Sequence, residues 1–129
     1  MIDGEKIIFN TFRPSVASLV ADVRSTYPKS LSKLPISVFR ETDNATIRKR
    51  QSSTPIENFA RLTYEFTVYA STKTEARAIY DAGDDALIAM GFTRLSSPFT
   101  DDANNTDVVR IVGRYECVID REGVIYRAG

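Results

Sequence analysis

The 129-residue sequence contains no histidine, no tryptophan and only one cysteine, Cys117. Histidine is the commonest general base at neutral pH and the partner of serine or cysteine in nucleophile pairs. Its absence excludes those arrangements and most catalytic zinc sites. A single cysteine cannot form an internal disulfide and is typical of a reducing compartment. Because Cys117 alternates with apolar residues, we expect a buried core thiol rather than a nucleophile.

The sequence also lacks a charge excess and any long hydrophobic run. Its 17 basic and 17 acidic residues cancel, whereas domains that mainly bind nucleic acid usually carry a basic excess. The longest apolar runs, such as residues 86–90, are far shorter than a membrane span. The N-terminus is acidic and has no apolar signal core, which predicts a protein made and kept in the cytoplasm.

The length and composition predict one folded domain over residues 1–129, and the local patterns predict two helices in it. A hydrophobic share of 43% at this length is enough for a single core. Residues 14–26 are predicted to form the first helix, with Pro14 at its start and an apolar stripe at helical spacing. The segment before it, which holds Ile7, Ile8, Phe9 and Phe12, is predicted to be helical too, with a bend or break at Pro14.

The second predicted helix has the stronger local signals. Thr72 and Glu75 form a capping box at its start, and Gly91 is the expected left-handed residue after its end. Between them, residues 73–90 place apolar side chains on one stripe.

The remaining apolar segments alternate as strands do. The predicted strands are 35–41, 59–70, 92–97, 108–119 and 124–127. Residues 120–123 are predicted to form the hairpin turn between the last two, with Gly123 at the position that needs a positive φ. The order is therefore α-β-β-α-β-β-β. This order predicts the α+β class, with a mostly antiparallel sheet and two helices packed on one face.

A polar stretch at about 43–58 is too long for a tight turn and is predicted to be a flexible arm. It contains the only basic cluster, Arg48-Lys49-Arg50. These side chains are candidates for contact with a phosphate backbone or an acidic protein surface, or they are simply solvated. We expect the arm to become ordered on a protein partner.

Two surfaces are candidates for a subunit interface. The second face of strand 108–119 mixes valine with charge at Val108, Arg110, Val112 and Arg114, continuing to Glu116 and Val118. Water-exposed strands seldom need so many β-branched residues, although β-propensity alone also accounts for them. Ala78 and Ala82 lie on the outer side of the second helix, where small side chains let another subunit approach. Alanine is equally the best helix former.

The acidic residues do not predict a metal site. Asp81, Asp84 and Asp85 lie within one helical turn but fit a solvated helix face. The loop that contains Asp101 and Asp102 lacks the glycine and distal glutamate of a calcium-binding EF-hand. No glycine-rich phosphate loop is present. We therefore predict no metal, no cofactor and no enzymatic activity.

The second half of the chain resembles the tail-terminator (tail completion) proteins of long-tailed phages. The resemblance is carried by the aromatic-rich strand 62–70, by the helix end Leu87-Ile88-Ala89-Met90-Gly91-Phe92, and by the long strand 109–120 with the hairpin ending in 124–127. In element order and length it covers about residues 14–127. Its motifs are short and chemically plain.

The resemblance implies a structural virion protein without catalysis. Such a protein forms a ring, typically a hexamer, that caps the tail tube and joins it to a connector protein of the head or neck. DNA only passes through the ring lumen. The protein would be assembled in the host cytoplasm and reside in the virion tail. The resemblance fixes no binding residues.

Two alternatives remain open. Other neck proteins, such as head-closure or adaptor subunits, are similar in size and also form rings. A small-molecule-binding or enzymatic α+β domain is a different class, and it would need a concave pocket with convergent polar groups.

Overall fold

A computed structural model describes residues 3–26, 34–46, 59–95, 99–102 and 108–126. Its elements confirm the α+β class, with strands dominant. In chain order they are α1 (Glu5–Phe12), the 3-10 turn η1 (Arg13–Ser15), β1 (Asp22–Arg24), β2 (Ile36–Thr46), β3 (Phe59–Ala70), α2 (Lys73–Met90), β4 (Thr93–Arg94), β5 (Phe99–Asp102), β6 (Val109–Asp120) and β7 (Ile125–Tyr126).

The strands form one mixed sheet in the order β1-β2-β3-β6-β4, and β5 and β7 also pair with β6. β1 runs parallel to β2, and every other pairing is antiparallel. β3 and β6 pair along their whole length, from Phe59 opposite Asp120 to Ala70 opposite Val109. These two long strands are the centre of the sheet, because alternating apolar residues give each of them a continuous buried face.

The main core lies between one face of the sheet and both helices. Ile8 and Phe12 of α1 and Ile79 and Leu87 of α2 belong to one buried cluster with the apolar side chains of the sheet. At its centre the rings of Phe12, Phe39, Tyr64, Phe66, Tyr80 and Phe92 contact one another. A second, smaller buried cluster joins Ile36, Val38, Tyr69 and Val108.

The second helix is confirmed at the predicted residues, 73–90. The Thr72 hydroxyl accepts a hydrogen bond from the Glu75 N–H, which satisfies a donor that the first helical turn leaves unpaired. Gly91 ends the helix at φ 107°, and its N–H donates to the Ile88 carbonyl. Gly123 likewise has φ 86° in the β6–β7 turn, as predicted.

The predicted first helix, 14–26, is wrong. The helix is α1, which ends at Phe12, and Pro14 lies inside the short η1 turn. Beyond it the Ala21 N–H donates to the Pro35 carbonyl, and Val23 pairs with Ser37. Pairing with β2 therefore satisfies the backbone groups that a helix would have bonded internally.

The observed order also differs from the predicted one, because it includes two additional strands, β1 and β5. β5 forms at 99–102, where a polar loop was predicted, since its backbone pairs with Val109–Val112 of β6. Within the predicted strand 92–97, only Thr93–Arg94 is a strand, and 96–98 lie outside the described residues. The predicted strands 108–119 and 124–127 correspond to β6 and β7.

β2 is longer than predicted and contains the start of the predicted arm. Residues 43–46 continue β2 and pair with 60–63 of β3, after a β-bulge between Glu41 and Asp43. At the bulge the Thr42 hydroxyl donates to the Thr63 carbonyl at 3.1 Å. The arm is therefore wrong for 43–46, because pairing with β3 outweighs their polar character. Residues 47–58 lie outside the described residues.

Candidate subunit interface

The face of the sheet opposite the main core carries charged and polar side chains across its three central strands. Residues paired across strands project from the same face, so the register assigns its members. On this face, which we call the uncovered face because no described helix packs on it, the register places Ile36, Val38, Arg40, Asp43 and Ala45 from β2; Arg61, Thr63, Glu65, Thr67 and Tyr69 from β3; and Arg110, Val112, Arg114, Glu116 and Val118 from β6. Six of these side chains are nevertheless at most 7% exposed, so much of the face is already buried within the chain: Ile36, Val38, Glu65, Thr67, Tyr69 and Val118. Within the described ranges, both helices pack on the opposite face.

Three charged side chains meet near the middle of the uncovered face. Glu65 lies opposite Arg40 on one side and Arg114 on the other. The Glu65 carboxylate is 3.6 Å from the Arg40 guanidinium and 3.8 Å from the Arg114 guanidinium. Its side chain is 10% exposed, against 35% and 65% for the two arginines. Two cations share one carboxylate, so this trio carries an excess positive charge.

The ion pairs of the trio explain little of the fold's stability. Solvent screens partly exposed pairs, and each contributes about 0–1 kcal/mol. The arrangement holds the Arg114 guanidinium at the surface, beside the Glu65 carboxylate that Arg40 also pairs with. The exposed part of the uncovered face thus carries charges of both signs, with Arg61 and Arg114 on the same face as Asp43.

A buried hydroxyl lies next to the trio. Thr67 follows Glu65 on the same face of β3, between Val38 and Val112 in the register, and it is 1% exposed. Its Oγ1 makes no hydrogen bond with any part of the chain that the structure describes. A buried unpaired hydroxyl costs about 1–3 kcal/mol, so this position is unfavourable for stability alone.

The interface residues predicted on strand 108–119 differ in exposure. Val108 is buried in the second cluster, and Val118 is 2% exposed. Arg110 and Val112 are half-buried, whereas Arg114 is exposed. Two of the valines are thus already covered within the chain, and charged side chains dominate what a partner would meet.

The outer side of α2 carries small and charged side chains. Ala78, Asp81, Asp85 and Ala89 recur at helical spacing along this side and are all exposed. Ala82, predicted beside Ala78, is half-buried and packs against the main core. The outer side of α2 therefore carries small side chains and charges of both signs, since Arg77 is also exposed, one turn before Asp81.

A hydrogen-bonded chain between α2 and β6 was not predicted. The Tyr115 hydroxyl donates to the Asp84 carboxylate at 2.7 Å, and the Arg94 guanidinium lies 3.2 Å from the same oxygen. The Tyr80 and Tyr115 hydroxyls also bond to each other. A hydroxyl has one proton, and that of Tyr115 goes to Asp84, so Tyr80 is the donor to Tyr115.

Gly113 leaves the space that the Tyr80 hydroxyl occupies in these hydrogen bonds. A Cβ at this position would overlap the Tyr80 hydroxyl and lie 2.9 Å from the ring carbon that carries it. The sequence contained one signal, a glycine inside a strand, which often marks a close approach to the backbone. Its partner, Tyr80, could not be identified without the tertiary structure.

Burial keeps the Tyr80 and Tyr115 hydroxyls neutral. It raises the pKa of Tyr115, and donation of its proton to the Asp84 carboxylate raises it further. Burial also raises the pKa of Tyr80. In the folded state these hydroxyls hold their protons above pH 10, where unfolded tyrosine loses them. Folding stability therefore falls as the pH rises above about 10.

The other candidate groups do not converge on a reactive or metal site. Cys117 is buried in the main core as predicted, and burial raises the pKa of its thiol to about 12. Asp84 bonds to Tyr115 and Arg94, whereas Asp81 and Asp85 are exposed. Among the described residues, no three His, Cys, Asp or Glu side chains lie close enough together to hold a metal ion.

One open groove is lined, among the described residues, by Phe59, Asp120, Arg121 and Glu122. The Asp120 carboxylate accepts hydrogen bonds from the Glu122 and Val124 N–H groups and the Tyr126 hydroxyl. These bonds, with that of Val124 foremost, lower the pKa of Asp120. Its carboxylate thus stabilises the hairpin turn, although it lines a groove.

Arg48, Lys49 and Arg50 lie outside the described residues, and their docking role stays a prediction. In the part of the chain that is described, neither helix combines the length and hydropathy that a membrane crossing requires. Comparisons with protein-family models and with curated proteins found no match.

Proposed function

We propose that this chain is a structural subunit of a phage tail, which closes into a hexameric ring and terminates the tail tube. The observation that carries the proposal is the uncovered face. A central three-stranded surface bears an arginine–glutamate–arginine trio with excess positive charge, beside a buried hydroxyl without a partner in the described residues. A subunit that presents such a face is suited to pack against another protein. The resemblance to tail-terminator proteins supplies the kind of assembly.

A closed ring also explains how a tail acquires a defined length. The tube grows by head-to-tail addition, which is an open assembly, whereas a ring has no free subunit contact around its circumference. One side of the ring would bind the last layer of tube protein, and the other would bind the head or neck connector, with DNA passing through the lumen. In this role the chain needs no cofactor and catalyses no reaction. It would assemble in the host cytoplasm and remain in the virion tail.

Tube growth in the presence of the protein tests this function. Purified protein is added to polymerising tube protein of the same phage, and tube lengths are measured in negative-stain images. We expect growth to stop with a cap at one tube end, because the ring covers the surface that the next layer needs. Heat-denatured protein is the control and should leave lengths unlimited. Tubes that keep growing past their normal length with the native protein would contradict the terminator function.

A further inference from the structure

One glutamate faces the main core at the place where the start of α1 lies near the sheet. Glu41 of β2 is opposite Tyr64 of β3 in the register, so both side chains project from the face that carries the main core. Oε1 of Glu41 and the hydroxyl oxygen of Tyr64 are buried, and neither forms a hydrogen bond with the part of the chain that the structure describes. Two neighbouring polar atoms therefore lack the partners that burial normally requires.

The described charged groups that act on Glu41 are all acidic. They are Asp3 and Glu5 at the start of α1 and Asp43 on the same strand as Glu41. The basic residue of α1, Lys6, is exposed, and no described arginine or lysine forms an ion pair with any of these four carboxylates. Ionisation of Glu41 therefore adds a fourth negative charge beside three others, on a half-buried side chain without a counterion.

The titratable groups near Glu41 on the other two strands are neutral. They are the Tyr64 hydroxyl of β3 and the Cys117 thiol of β6, and burial raises the pKa of both, to about 12 for the thiol. Neither group supplies a positive charge for an ionised Glu41. A protonated Glu41 carboxyl suits these surroundings better, because it can both donate a hydrogen bond to a hydroxyl oxygen and accept one from a hydroxyl proton.

The folded chain therefore favours the protonated form of Glu41. Burial raises the pKa of its carboxyl, and Glu5, Asp3 and Asp43 raise it further against a smaller opposing effect of the Tyr64 hydroxyl. Unfolding removes these influences and returns the carboxyl to the ordinary pKa of glutamic acid, about 4.3. The folded chain thus holds a proton over a pH range in which the unfolded chain has lost it, so folding stability falls as the pH rises through that range.

We propose that Glu41 is a pH-sensitive switch that controls how firmly the start of α1 docks on the sheet. α1 packs over β2 while the Glu41 carboxyl is protonated, and repulsion from Asp3 and Glu5 loosens the start of α1 when Glu41 ionises. The helix is the element that gives way, because β2 is held by pairing with β1 and β3, whereas an eight-residue helix is marginal without its packing. This switch belongs to the single subunit and does not depend on the ring.

The variant Glu41→Gln tests the switch, because the amide has the size of the protonated carboxyl and cannot ionise. Hydrogen exchange of the α1 amides, including the Ile8 N–H that donates to the Gly4 carbonyl, is compared between variant and wild type at the same pH. We expect equal exchange at about pH 4, where the carboxyl is protonated, and exchange several times faster in the wild type at about pH 8. Urea-induced unfolding should likewise show the variant gaining stability over the wild type as the pH rises.

Two further variants separate the switch from a general effect of removing a carboxylate. Glu116→Gln changes another half-buried glutamate, on the opposite face of the sheet, and should exchange its α1 amides as the wild type does at both pH values. Glu5→Gln removes the charge with the largest influence on Glu41 and should weaken the pH dependence of α1 exchange without abolishing it. It also tests the switch if Glu41→Gln does not fold.

Three results would overturn the switch. The first is equal α1 exchange in the wild type and Glu41→Gln at about pH 8, which would mean that the ionised carboxylate turns to solvent without moving α1. The second is a stability difference of the same size at both pH values, which would reflect packing of the amide rather than a charge. The third is a wild-type pH dependence that Glu5→Gln leaves unchanged. None of these results bears on the ring, which is tested by the mass of the assembly.

Discussion

Replacing Gly113 with alanine is expected to lower the free energy of unfolding by about 2–3 kcal/mol. The added Cβ would overlap the Tyr80 hydroxyl, and the Tyr80 ring cannot move away because it is 3% exposed and stacks on Phe66 with ring centroids 5.4 Å apart. Overpacking of this kind costs about 1–3 kcal/mol, and a displaced, unpaired hydroxyl costs about 1–3 kcal/mol more. The better strand propensity of alanine recovers only about 0.5–1 kcal/mol.

Urea-induced unfolding measures this effect, and a double-mutant cycle isolates its cause. Tyr80→Phe removes the oxygen that the new methyl group meets. Gly113→Ala should therefore cost clearly less in a Tyr80→Phe background, with a coupling of about 1 kcal/mol or more. Wild-type stability in Gly113→Ala would show that α2 does not approach β6 as closely as described.

Replacing Tyr115 with phenylalanine is expected to cost about 2 kcal/mol, and Tyr80→Phe only about 1 kcal/mol. The difference follows from the direction of the hydrogen bonds. Loss of the Tyr115 hydroxyl leaves Tyr80 without its acceptor and leaves Asp84 bonded only to Arg94, so two groups each lose a partner. Loss of the Tyr80 hydroxyl leaves Tyr115 still bonded to Asp84. Each buried group left unpaired costs about 1–3 kcal/mol, of which solvation by nearby water recovers part.

The same unfolding experiment on the two single variants checks the order of the costs. The ring of phenylalanine keeps the packing, so volume changes do not confuse the comparison. A cost for Tyr80→Phe equal to or larger than that for Tyr115→Phe would contradict the assigned hydrogen-bond direction, from Tyr80 to Tyr115 to Asp84. A second control is Arg94→Gln, because the Arg94–Asp84 pair is partly exposed and should contribute about 0–1 kcal/mol.

The parts of the fold that the sequence predicted are those with local signals. α2 begins and ends at the predicted residues, because the Thr72 cap and the left-handed Gly91 act within a few positions of the helix. β3 and β6 were predicted from their alternating residues, since each has one side in the main core. Such signals need no knowledge of what lies next to the element.

The errors come from pairing between distant segments. Val16, Leu19, Val20 and Val23 fit a helical stripe, but Leu19 is 45% exposed and Val23 belongs to β1. Four apolar residues suit a turn followed by a strand as well as they suit a helix, and the parallel pairing with β2 decides between them. β5 forms for the same reason, because β6 provides an edge for a short polar segment.

The candidate interface was only partly accessible to sequence reasoning. The alternation of β6 correctly separated Arg110, Val112 and Arg114 from the core side of the strand. The Arg40–Glu65–Arg114 trio joins three strands, and its register could not be read from any one of them. The Tyr80–Tyr115 bond likewise links residues 35 positions apart.

The mass of the wild-type protein tests most directly whether this chain works as a ring. Sedimentation velocity at rising concentration is combined with negative-stain images of the free protein and of tube ends. We expect a closed hexamer of 14.4-kDa chains with a central opening, either free at high concentration or on the end of a tube. A protein that stays monomeric at every concentration and leaves tube ends bare would contradict it.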